Sequence, residues 1–501
     1  MMTTLILSVF FSISAFAYDV EVDGIYYNFI SVNSVEVTSG EKLYNGEINI
    51  PSTINNNGAS YNVECIGIKA FYGCESLKKV SIPNSVTTIE RDAFSGCTEL
   101  TSVNIPNTVT VIRERCFFNC KSLPSIIIPN SVTNIEHYAF NGCESLKSIS
   151  IPNSVTKLGY GVFTSCHSLT KVVFPNSLTN TGNYTFNHCL GLSWVIIPSS
   201  ITSIGEGTFD YCSSLSSINI PNSVTLIGKY ALCKCEKLLS ISIPNSVTCI
   251  DEGALSDCEN LTTVKIGENV QTINEKAFSK CKNLKTLECL AVKVPSTSDD
   301  VFNETSIENA ILIVPKSALT EYKSNYPWNQ FGTITSVEDF EYPETPKCAT
   351  PEITYYEGKL QFKCKTEDVE FASFINSDDI NTFNSHEVNL SACYDISVTA
   401  MKTGYDNSDV ATAKLYWLPS SGTLEGDNIN NVAMRGIAIQ SAGGFINISG
   451  LDNNEKIDFF GVDGKALGSA KSIDGSVSFS AKQGTVVVAK IGKESVKIAV
   501  E

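Results

Sequence analysis

The stretch CESLKKVSIPNSVTTIERDAFSG, residues 74–96, is followed at once by a second cysteine and a second copy of the same pattern. Cysteine returns at Cys97, Cys120, Cys143, Cys166, Cys189, Cys212, Cys235, Cys258 and Cys281, always 23 residues on. Proline keeps the same step from Pro83 to Pro244 and leucine from Leu77 to Leu284. Phenylalanine runs from Phe71 to Phe209 and returns at Phe278, with Leu232 and Leu255 between. A fixed period of this length marks a solenoid, because one such unit cannot bury its apolar face alone and must stack on its neighbours.

Within a unit, Leu77, Val80 and Ile82 are apolar while Lys79 and Ser81 are polar, which reads as a short strand with alternating faces. Pro83-Asn84 ends it, since proline cannot donate to a ladder and the pair suits a turn. Val86 and Ile89 then point inward, and Ala93-Phe94 is expected in a tight helical or 3-10 turn leading back to the next cysteine. The solenoid is placed at residues 51–284. Residues 18–50 are expected to cap its first coil and 285–340 to close it, where Val314-Pro315 and Trp328 break the pattern.

Eighteen cysteines would ordinarily suggest disulfides. Here each stands between an apolar Phe column and an apolar Leu column, so the thiols are expected inside as small hydrophobes. Stacking in register keeps their β-carbons near the strand spacing of about 4.8 Å, wider than the roughly 3.8 Å of a disulfide.

Composition limits the function classes. A hydrophobic share of 43% excludes a disordered chain, and a net charge of −17 argues against nucleic-acid or anionic-membrane partners. Leu5 to Phe16 is an apolar run too short to span a bilayer, and Ala15-Phe16-Ala17 forms a small-residue cleavage site. Residues 1–17 therefore read as a signal peptide, although no Lys or Arg precedes the apolar run. Secretion or the outer cell surface is the expected location, without membrane insertion.

The segment Ile-Pro-Asn-Ser-Val-Thr-x-Ile followed by Ala-Phe-x-x-Cys-x-x-Leu, clear at residues 82–100 and 128–146, resembles the leucine-rich repeats of BspA-like surface antigens. The resemblance implies a curved leucine-rich-repeat solenoid, surface display, and binding to host proteins or neighbouring cells. It carries no catalytic residues.

Beyond a linker at 341–347, residues 348–418 alternate at strand length, as in Lys359-Leu360-Gln361-Phe362-Lys363, and read as a small sandwich. The run from Ala400 to Ala411 resembles immunoglobulin-like spacer modules. Cys348, Cys364 and Cys393 leave an odd thiol whichever pair forms. After a second linker at 419–430, residues 431–501 carry further short strands around Ile446, Phe459 and Val487, with Gly-Lys turns. That pattern is similar to the carboxy-terminal sorting domains of the type IX secretion system, although Glu501 stands where the pattern usually ends on a basic residue.

No cofactor, metal or catalytic site is expected. His137, His167 and His188 occupy three different repeat columns and His386 lies elsewhere. No HExxH, Gly-x-Ser-x-Gly or phosphate-loop motif occurs. A binding patch is more promising. The fifth and seventh residues after each cysteine should face outward, and most are small and polar. The centre differs, with Lys171, Val173, Trp194 and Ile196 together and Ile127 further along. Clustered exposed apolar groups with a Trp suit an interface. The alternative for Trp194 is burial under a neighbouring loop. The sequence thus points to a surface binding protein contacting a host extracellular protein, a glycan or other cells. The competing role is a structural surface-layer or spacer protein without a specific ligand.

Overall fold

A computed structural model describes residues 18–340, 348–356, 359–377, 393–401, 408, 411–419, 434–442, 444–462, 464–491 and 494–500. The expected signal peptide, the linker at 341–347, most of the linker at 419–430 and His386 lie outside these residues. The chain divides into two compact units, residues 1–340 and 341–501.

The first unit is a solenoid with a sheet column on each of two sides. One column contains Leu77–Ser81, Ser148–Ser150, Trp194–Ile196, Ser240–Ile243 and their equivalents. The other contains Thr88–Ile89, Asn134–Ile135, Ser203–Ile204, Thr272–Ile273 and theirs. Pairing is parallel and in step with the repeat, as in Ser240↔Thr263 and Ile250↔Ile273. The hydroxyls of the Asn-Ser-Val-Thr motif join coils where no strand does. Ser131 Oγ donates to the Val109 carbonyl at 2.7 Å, and Thr225 Oγ1 to the Thr202 carbonyl at 3.2 Å.

The return to the next cysteine is a hydrogen-bonded turn, where the sequence suggested a helical or 3-10 segment. Its geometry explains why. Two positions in each return take positive φ, for example Asp92 at 57° and Gly96 at 79°, and a right-handed helix cannot pass through either.

Stacking fills the interior. The rings of Phe71, Phe94, Phe117, Phe140, Phe163, Phe186 and Phe209 lie nearly parallel, with centroids 4.9 to 5.9 Å apart. The column thiols are buried, and every cysteine from Cys65 to Cys289 is a free thiol. From Cys97 onward each column thiol donates to the carbonyl oxygen 26 residues earlier, as Cys97 does to Phe71 at 3.1 Å and Cys212 to Phe186 at 3.2 Å. Cysteine therefore fills a small apolar space and also satisfies a buried acceptor, a combination that alanine cannot provide.

One coil, residues 166–188, breaks the pattern. Phe174 occupies a column otherwise held by isoleucine, Leu178 takes a Val or Ile position, and polar Thr181 replaces a core Ile or Leu. All three are buried. The ring of Phe174 meets Phe186 edge-on at 5.5 Å. Thr181 Oγ1 lies 2.8 Å from Thr208 Oγ1 and accepts from the Gly205 N–H at 2.9 Å. Both sheet columns are interrupted here. Lys171–Val173 pairs with Ser148–Ser150 but forms no ladder with Trp194–Ile196, and Lys157–Leu158 ends its ladder before the lone bridge Asn180↔Ser203. The phenylalanine spacing also reaches 5.9 Å at Phe186–Phe209.

At the amino end, residues 20–66 supply antiparallel and parallel strands that cover the first coil, with the Tyr44 hydroxyl donating to the Thr38 carbonyl at 2.6 Å. At the other end Ile311–Val314 and Thr333–Ser336 extend the parallel sheet, and buried Trp328 packs edge-on against Phe302 and Tyr322. Among the described residues, no helix is long and apolar enough to cross a membrane.

Among the described residues, the second unit is all β. A six-stranded antiparallel sheet runs from Glu370–Ser377 through Cys393–Met401, Ala411–Pro419, Met434–Ala442 and Phe445–Ser449 to Ser476–Ser480. It thus draws strands from both of the stretches 348–418 and 431–501. Alternate residues of Met434–Ala442 serve two cores. Ile437 and Ile439 pack with Phe459 and Val487, while Ala438 packs with Ile353 and Val398. Buried Gln440 ties in Glu352–Tyr356, accepting from the Ile353 N–H and donating to the Pro351 carbonyl, each at 3.2 Å.

Candidate functional site

The outward columns of the first sheet follow from strand alternation. Val80, Ile149, Val195 and Ile241 are buried, while the residues on either side of each point away from the core. Most of those outward residues are serine, threonine or asparagine.

Trp194 and Ile196 are half-buried on one strand, so Trp194 retains an accessible face. Lys171, on the neighbouring coil, places Nζ 5.9 Å from the centre of the Trp194 ring, within cation–π range. Partial burial lowers the lysine's pKa from its ordinary value. Lys171 and Val173 pair in register with Ser148 and Ser150. Ile127 is 83% exposed but belongs to an earlier coil, with Ser150 intervening in its column. The structure therefore brings Lys171 and Trp194 together, keeps Ile196 on the same strand, and leaves Ile127 apart.

A polar hollow continues the face beyond Ile196. Ile196 pairs with Asn219, which lines a depression of about 700 Å³ together with Asn222, Ser242, Asn245 and Lys265. Asn245 Oδ1 accepts from the Glu268 N–H at 3.1 Å, which fixes that amide. Lys265 is held at 3.1 Å by Glu288, one coil on. These residues were visible in the sequence as the Pro-Asn column and the seventh-position column, but nothing there showed that the two columns border one hollow.

The turn edge holds a polar cluster that the sequence did not suggest. Asn187 Nδ2 donates to Asp210 Oδ2 at 3.0 Å, and Asn187 Oδ1 lies 2.8 Å from His188 Nδ1. The His188 ring stacks on Tyr211 at 4.2 Å, and the Lys234 ammonium sits 4.0 Å over the same ring. Burial raises the Asp210 carboxyl to about 6, against hydrogen bonds from Cys233 and Asn187 and the nearby Lys234 charge that lower it. Burial also raises the Cys233 thiol, so the unreactive protonated form is favoured there. Among the described residues, no group of three or more His, Cys, Asp or Glu side chains is placed to hold a metal ion.

No curated protein matches the chain. Among solved structures, a leucine-rich repeat protein from Bacteroides ovatus is 25% identical, covering 64% of this chain and 100% of its own, with a TM-score of 0.44. A leucine rich cell surface protein from Faecalibacterium prausnitzii is 26% identical over 64% of this chain and 94% of its own, also at 0.44. The pneumococcal vaccine antigen PcpA is 18% identical over 64% and 98%, at 0.40. The description "BspA type Leucine rich repeat region" matches residues 64–193 and 180–308, in six copies. Residues 64–308, just under half of this chain, are thus similar to BspA-type leucine-rich repeats.

Proposed function

We propose that the chain is a secreted or surface-displayed binding protein whose solenoid adheres to a host extracellular protein, a glycan or another cell. The observation that carries this reading is the half-buried Trp194 under the Lys171 ammonium, on a sheet face whose outward residues are mostly small and polar. A large aromatic with an accessible face, beside an aliphatic neighbour and a polar rim, is the usual form of an interface anchor. The signal-like residues 1–17 support export. In this reading residues 348–418 act as a spacer, and residues 431–501 as a sorting module of the type IX kind. No chemistry is assigned to the solenoid. Burial keeps the Cys233 thiol beside Asp210 protonated and unreactive.

The test is binding of the full chain to epithelial cells and to immobilised extracellular-matrix proteins. Saturable binding that unlabelled chain competes away is the expected result. A spacer or surface-layer role predicts only weak, non-saturable attachment.

A further inference from the structure

The second sheet column carries a groove of about 950 Å³ that crosses several coils around the broken coil 166–188. Glycines let the coils approach closely along it. Gly159, Gly182, Gly205 and Gly228 occupy one column on four successive coils, and at Gly205 a β-carbon would fall 2.2 Å from the Gly182 carbonyl oxygen. The side chains along its two sides, more than its depth, point to a class of ligand.

Asn180 Oδ1 accepts from the Gly182 N–H at 2.9 Å, and Asn183 Oδ1 accepts from the Glu206 N–H at 3.1 Å. Both amides are thereby oriented, and each leaves its NH₂ group as an unused donor at the groove. Tyr160 lines the same groove with 38% of its surface exposed, its backbone N–H held at 2.8 Å by His137 Nδ1. Its ring is flanked by Tyr138 at 5.5 Å and Tyr184 at 5.0 Å, giving three aromatic rings in a row along the solenoid. Much of the charge is paired within the protein. Arg113 meets Glu136 at 3.5 Å, Lys229 meets Glu252 at 2.7 Å, and Glu206 accepts from the Tyr184 hydroxyl at 3.1 Å.

We propose that this groove binds a neutral linear oligosaccharide. Oriented amide donors suit sugar hydroxyls and ring oxygens, and a partly exposed tyrosine offers a platform for the C–H face of a pyranose ring. The lining carboxylates Glu136, Glu206 and Asp251 outnumber Lys157 and Lys229, which gives no advantage to a polyanion. Successive coils about 4.8 Å apart present these groups on a step similar to that of the rings of an extended glycan. The groove lies on the opposite sheet column from Trp194, so the two surfaces can be occupied independently. Its central coil is also where the repeat departs most from its own rule, as expected where sequence serves a ligand as well as the fold.

The experiment is calorimetric titration of the full chain with four neutral probes, chitohexaose, cellohexaose, xylohexaose and maltohexaose, and with one acidic probe, a hyaluronan oligosaccharide. Saturable binding of at least one neutral probe is expected. That binding should weaken at least about tenfold in Tyr160→Ala and in the near-isosteric Asn183→Asp, with unchanged thermal unfolding, and persist in Trp194→Ala/Ile196→Ser. The proposal is overturned if no neutral probe binds, if only hyaluronan binds, or if both groove variants bind as well as the parent.

Discussion

The ring of Tyr184 lies across Gly207 of the next coil, so close that a β-carbon at position 207 would meet Tyr184 Cε1 at 2.5 Å. Tyr138 lies over Gly161 and Tyr230 over Gly253 in the same way, with corresponding approaches of 2.8 and 2.3 Å. The left-handed column thus alternates tyrosine and glycine over six coils, and each pair is one packing unit. Gly253 has φ of 58°, so alanine there meets both backbone strain and the Tyr230 ring. Gly253→Ala should cost about 2 kcal/mol. Adding Tyr230→Ser should recover about half of that by removing the clash. Urea unfolding of the four members of this cycle measures the coupling, and purely additive costs would show that the ring does not confine position 253.

Burial holds the column thiols protonated, pushing Cys143 and Cys281 from an ordinary 9.0 up to about 12 and Cys120 well above its usual range. In the unfolded chain these thiols release their protons near pH 9. The folded state therefore gains stability that is complete below about pH 9 and is lost as pH climbs toward 12. Each thiol contributes a slope of about 1.4 kcal/mol per pH unit in that window. The urea midpoint of the solenoid should fall steeply between pH 9 and 10.5, where one buried thiol alone would give a shallow decline. A midpoint constant across that window would contradict the buried-thiol ladder.

Asp210 titrates in the same direction at lower pH. Its carboxyl is raised to about 6 by burial, so the folded state favours its protonated form, and ionisation at neutral pH weakens the fold. Asp210→Asn should accordingly raise stability at pH 7, by about 1 kcal/mol once partial solvent screening is allowed for. The gain should vanish below about pH 3, under the ordinary 3.8 of the unfolded carboxyl, where Asp210 is protonated in both states. Denaturation midpoints of parent and variant at the two pH values decide the matter, and equal gains at both would rule out this origin.

Much of the fold was legible because every coil repeats the same requirements. Leu77, Val80 and Ile82 announce a strand, Pro83 ends it, and Cys97 with Phe94 fixes the stacking step. The left-handed turn positions were not legible, because Asp92, Arg115, Tyr138 and Lys276 share them and no residue type marks such a backbone across them. The tyrosine–glycine pairing hid in the same column, where alternation looked like ordinary variability. Phe174 and Thr181 depart from their columns, but their effect on two sheets at once depends on how the coils stack. The Trp194 surface was legible from alternation alone. The groove beside Asn180 and Asn183 was not, because its donors are oriented by backbone contacts that only the stacked coils provide.

Thr181 shows how the broken coil is held. Its hydroxyl accepts from the Gly205 N–H and contacts Thr208 Oγ1 inside the core. Thr181→Val keeps the volume and removes this acceptor, leaving a buried donor without its partner. A loss of about 2 kcal/mol is expected, together with faster amide exchange at Gly205. If the variant were as stable as the parent, the hydroxyl pair would not be what bridges the interrupted ladder.

Binding by the outward face around Trp194 is measured directly by comparing two matched double variants of the full chain in cell binding. Trp194→Ala/Ile196→Ser alters the candidate face, while Ser81→Ala/Ser102→Ala alters exposed serines of the same two columns in earlier coils. The account predicts at least a tenfold loss of affinity for the first pair, none for the second, and unchanged unfolding for both. Undiminished binding by the Trp194 variant, or equal loss by both, would contradict it.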